Sequence, residues 1–79
     1  MTTLSLLPFH PITILETYDY DVGKFVIEEE WPFDCFEEQC EKLGPKFSDT
    51  AKDCQTWRLS FWEKGACQKA KYLSRAEGF

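Results

Sequence analysis

The stretch PFDCFEEQCEKLGP, positions 32–45, decides how the chain is read. Phe33, Phe36, Cys40 and Leu43 recur at intervals of three, four and three, which lays one apolar stripe along an α-helix. Asp34 followed by Glu37 resembles a capping box, and Pro32 fits the boundary before it. Gly44-Pro45 predicts the stop, because glycine accepts the left-handed position after a last turn and proline does not continue a helix. Glu37, Glu38, Glu41 and Lys42 are left for solvent, so the helix is acidic as well as amphipathic.

Upstream of this helix the pattern changes period. Ile12, Ile14, Tyr18 and Tyr20 alternate along residues 12–20, and Phe25 and Ile27 alternate along residues 24–30, with Asp21-Val22-Gly23 between the two runs. Two β-rich runs around a glycine-containing break predict a hairpin. Residues 1–11 read as an extended arm, since Pro8 and Pro11 exclude a helix there.

Downstream, Ser48-Asp49-Thr50 offers N-cap candidates for a short helix reaching about Cys54. Trp57, Leu59 and Phe61 then alternate with Thr56, Arg58 and Ser60. A helix through Ala51, Cys54, Trp57 and Phe61 would bury a stripe equally well, and the abundance of Thr, Trp and Phe favours a strand. As a strand it sends Trp57 and Trp62 to opposite faces, which offers Trp62 as an interface anchor. Residues 66–76 are rich in helix formers, with Ala66, Ala70 and Leu73 on one face, and predict a C-terminal helix. A second hairpin closing at residues 63–65 is the competing reading. The expected fold is therefore α+β, a single compact domain over residues 12–79. Its parts are an N-terminal hairpin, the acidic helix, an aromatic strand and a C-terminal helix.

Composition agrees with a folded core. Of 79 residues, 43% are hydrophobic and 16% aromatic, far from the aromatic-poor makeup of disordered chains. Residues 1–7 carry no basic residue, and no apolar run reaches the roughly 20 residues that span a bilayer. The chain is accordingly expected to stay soluble in the cytoplasm, away from membranes. With no secretion signal, Cys35, Cys40, Cys54 and Cys67 are expected as reduced thiols, although four cysteines also permit two disulfides. Zinc is disfavoured, because only one closely spaced cysteine pair exists and its members lie about 140° apart on a helix.

Charge is the strongest functional signal. Residues 1–41 hold ten acids and one base, a net of −9, whereas residues 42–79 hold four acids and eight bases, a net of +4. Glu28, Glu29 and Glu30 end the second strand, and Glu37, Glu38 and Glu41 line the helix. These six carboxylates, with Trp62, are the candidate partner-binding residues for a basic surface. The same acids also suit a solvated helix face partly paired with the basic half. Catalytic chemistry is not expected. His10 is the only histidine and lies in the arm, the four glycines are isolated, and Asp19 with Asp21 lacks the other ligands of a calcium loop. No cofactor is implied.

In size, acidity and missing chemistry the chain resembles small inhibitors encoded by phages and mobile elements, anti-CRISPR proteins among them. Some of these present acidic surfaces to basic nucleic-acid grooves. The resemblance rests on size and charge and transfers no residue. It implies a non-catalytic inhibitor that engages a basic surface of its target. The alternative is a small nucleic-acid-associated or regulatory protein that uses Arg58, Lys64, Lys69, Lys71 and Arg75 with the neighbouring aromatics.

Overall fold

The computed structural model describes residues 10–76. Two antiparallel strands, β1 (Ile12–Asp19) and β2 (Lys24–Trp31), are followed by α1 (Phe36–Phe47) and a 3-10 helix (Ser48–Asp53). A second antiparallel pair follows, β3 (Trp57–Glu63) and β4 (Ala66–Ser74). The four strands form one sheet in the order β2-β1-β3-β4. The fold is thus α+β, with one layer of helix on one face of an antiparallel sheet.

The first hairpin closes as its sequence directs. The Asp19 carboxylate accepts hydrogen bonds from the backbone of Asp21 (2.9 Å) and Val22 (3.2 Å), and Gly23 adopts φ 82° while donating to the Asp19 carbonyl. The face of β1 turned to the helix is, however, Thr13, Leu15 and Thr17; on the expected side Ile12 is buried, but Ile14 and Tyr18 are only half-buried and Tyr20 is exposed. Threonine hydroxyls make this possible. Thr13 Oγ1 donates to the Phe33 carbonyl (2.8 Å) and accepts from the Cys35 backbone (3.1 Å), pinning the entry to α1 onto β1. Thr17 Oγ1 donates to the Thr56 carbonyl, and Thr56 Oγ1 accepts from the Ala76 backbone. Buried hydroxyls are tolerated because each finds a partner.

The helix departs from expectation at both ends. Cys35 is the N-cap residue and makes no side-chain cap, but the Asp34 carboxylate accepts from the Phe36 backbone at 3.2 Å. Phe33 lies outside the helix and is 52% exposed, so the apolar stripe is Phe36, Cys40, Leu43 and Phe47. Gly44-Pro45 does not end the helix, which continues to Phe47 with Pro45 inside it. Proline deprives the Glu41 carbonyl of its donor, and Glu41 is exposed, so water can take the place of that donor. The actual stop is Cys54, whose left-handed φ of 61° ends the 3-10 helix.

Residues 66–76 form no C-terminal helix: most of this run is β4. Lys64 (φ 55°) and Gly65 (φ 77°) both take positive φ, the geometry of a two-residue hairpin turn, and fold the chain back onto β3. Backbone pairing to β3 outweighs the helix propensity of the alanines and lysines. The arm expected over residues 1–11 falls almost wholly outside the described residues.

The core lies between α1 and the middle of the sheet, where Leu15, Phe36, Leu59, Phe61 and Leu73 cluster around the fully buried Leu59. Trp57 stacks on Phe47 with ring centroids 4.2 Å apart. Phe36→Ala should cost about 3–5 kcal/mol, whereas Phe33→Ala should change stability by less than about 0.5 kcal/mol. Urea denaturation midpoints of the two variants check this contrast, and equal midpoints would remove Phe36 from the core.

Candidate interaction surfaces

The six carboxylates singled out by sequence do not form one patch. α1 packs against β3 and β4, whereas β2 is the opposite edge of the sheet. Three strand spacings, about 14 Å, separate the two edges. The helix acids meet lysines: Lys69 Nζ of β4 lies 3.9 Å from Glu37 and 4.0 Å from Asp34, and Lys42 lies 3.5 Å from Glu38. Glu41 lines a shallow hollow with Phe36, Cys40 and Lys71. Glu28, Glu29 and Glu30 differ. They follow one another on an edge strand, and none joins an ion pair among the described residues.

The register of β2 distributes these three glutamates. Cross-strand partners share a face. Glu29, opposite Leu15, therefore belongs to the helix-covered face, and Glu30, opposite Ile14, to the open face. Glu28 is the extra residue of a β-bulge and has no partner in β1. It lines a hollow of about 320 Å³ with Asp19, Asp21 and Val26 at the hairpin end. Among the described residues, no three of His, Cys, Asp and Glu are grouped to hold a metal ion.

The open face of the sheet carries an arrangement that sequence reading missed. Arg58 of β3 donates through Nε (3.2 Å) and Nη2 (3.0 Å) to the Glu16 carboxylate of β1. Its guanidinium lies 3.6 Å from the centroid of the Phe25 ring on β2. Phe25 meets Tyr18 edge-on, and Tyr18 meets Tyr20, with centroids 5.3 and 4.8 Å apart. One cation thus ties three strands together. Its only sequence signal was the alternation that puts Arg58 and Glu16 on the same side of their strands. Trp62 lies on this face, opposite Cys67, and is half-buried, with its indole N–H donating to Ser60 Oγ at 3.0 Å. Trp57 is on the covered face, where its indole nitrogen finds no acceptor among the described residues.

No disulfide joins the four cysteines. Burial raises the Cys40 thiol pKa, an effect that Lys71 and Lys69 partly oppose and Glu37 reinforces. Cys54 and Cys67 are exposed and Cys35 is buried.

Comparison with protein-family models, with curated proteins and with solved structures finds no match to this chain. No helix among the described residues is long and apolar enough to cross a membrane.

Two measurements bear on these surfaces. Arg58→Lys should lower stability by about 1 kcal/mol, because an ammonium keeps the charge but loses the planar fork and the ring stack. A denaturation midpoint equal to that of the parent chain would show that the fork and the ring stack add nothing. Alkylation followed by intact mass should modify Cys54 and Cys67 first at neutral pH and Cys40 later, with Cys35 last. Since the Cys40 pKa is raised on folding, its thiol stabilises the fold fully below the unfolded-state pKa. That contribution fades as pH climbs through the folded-state value.

Proposed function

We propose that the protein is a non-catalytic binding protein whose acidic β2 edge engages a basic surface on another protein, in the manner of small acidic inhibitors. One observation carries this reading. Glu28, Glu29 and Glu30 form an uncompensated acidic run on an edge strand, whereas Arg58 and Lys69 of the basic half already face carboxylates of the chain itself. An edge strand also offers backbone donors and acceptors to an incoming segment. A basic nucleic-acid groove is the kind of target such a charge pattern suits, and its occlusion would be the inhibitory act. Glu37, Glu38 and Glu41 add long-range field more than contact, because lysines lie beside them.

Charge of this kind raises association rates more than it slows dissociation. Binding should weaken steadily with salt as the Debye length shrinks from about 10 Å at 0.1 M to about 3 Å at 1 M. The test captures proteins from a host extract on the immobilised chain and identifies them by mass spectrometry. It compares the parent with a Glu28, Glu29 and Glu30 to Lys variant and with a Lys69, Lys71 and Arg75 to Glu variant. A basic protein retained by the parent and the second variant and lost by the first supports the reading. Loss only in the second variant would overturn it in favour of a nucleic-acid-associated or regulatory role for the basic half.

A further inference from the structure

The two edges of the sheet are complementary to each other. Every neighbouring pair in the order β2-β1-β3-β4 is antiparallel, so β2 and β4 also run in opposite directions. A second copy displaced sideways in the plane of the sheet, allowing for its twist, therefore brings its β4 against β2 as an antiparallel neighbour.

The register specifies which side chains meet. One row across the sheet reads Glu29, Leu15, Leu59, Lys71, all on the helix-covered face. A second row reads Ile27, Glu16, Arg58, Tyr72, all on the open face. A sideways copy thus sets Lys71 beside Glu29 and Tyr72 beside Ile27. Ile27 and Tyr72 are both exposed large hydrophobic residues, at 44% and 36%. Same-edge pairings meet like charges in specific registers. β2 against β2 centred on Glu29 opposes glutamates to glutamates, and β4 against β4 centred on Ala70 opposes Lys69 to Lys71, and like charges across a strand pair are unfavourable.

We propose that this protein self-associates head to tail, β4 of one copy adding to β2 of the next through Lys71–Glu29 and Tyr72–Ile27 contacts. The inference rests on the reading of β2 as a binding edge and names a second copy as the basic partner. Because the contact joins different surfaces, it does not close at two copies.

The test is sedimentation of the purified full-length chain over a concentration series. The expected result is a mass at low salt that rises with concentration above the 9.3 kDa monomer and falls back toward it at about 1 M salt. Glu29→Lys alone and Lys71→Glu alone should each weaken association at least tenfold, and an equimolar mixture of the two variants should restore it. Amide NMR spectra check that each variant remains folded. A chain that stays at the monomer mass at every concentration, or variants that associate like the parent, would overturn self-association. If extract capture still depends on Glu28, Glu29 and Glu30 in that case, the acidic-edge reading stands without it.

Discussion

A single helix of twelve residues must cover one face of a four-stranded sheet, and it is too narrow to do so. With its side chains an α-helix is about 10–12 Å across, less than the roughly 14 Å from first strand to fourth. α1 settles over β3 and β4, where Phe36, Cys40 and Leu43 reach Leu59, Phe61 and Leu73. β2 is left with little cover, and Glu28 and Glu29 in its middle are exposed. The glutamates are therefore a structural answer as much as a functional feature. Charged side chains keep an uncovered edge from indiscriminate pairing, and the bulge at Glu28 twists that edge further from a flat template.

The open face meets the same shortage of cover with different chemistry. No second layer lies on it among the described residues, so the side chains there shield one another. Glu16, Arg58 and Phe25 do this across β1, β3 and β2, the guanidinium stacking on a ring while its donors satisfy a carboxylate. Arginine suits this position because its weakly hydrated, planar head can be half-buried against an aromatic at modest desolvation cost. Both faces of so thin a domain thus rely on cross-strand pairs more than on a thick core.

How much of this was legible in the sequence depended on whether local signals and tertiary pairing agreed. The hairpin of β1 and β2 was readable because turn residues and alternation pointed the same way, and the helix because its apolar stripe is clear; β3 was readable only from its Thr, Trp and Phe, since its hydrophobic period suits a helix equally well. β4 was not. It buries only Leu73 and Ser74 of its nine residues, so its alternation is faint, and its alanines and lysines suit a helix. The inward face of β1 was obscured because Thr13 and Thr17 enter the core to hydrogen-bond, while apolar Ile14 and Tyr18 turn outward. The acids of the candidate surface were visible as charge. Which of them stay uncompensated was not, because that depends on β4 carrying Lys69 up to the start of α1.

The central position of β1 also bears on how the chain is made. β1 finds one neighbour at once in β2, but its other edge awaits β3, whose paired residues lie 40 to 50 positions further along. At synthesis rates of about 5–20 residues per second, that edge stays open for several seconds on a nascent chain. Along it Thr13, Glu16 and Thr17 interrupt the apolar residues, and a carboxylate in mid-strand discourages a stray partner. Arg58 of the arriving β3 then neutralises that charge. The same glutamate that guards the unfinished sheet becomes the docking point for the strand that completes it.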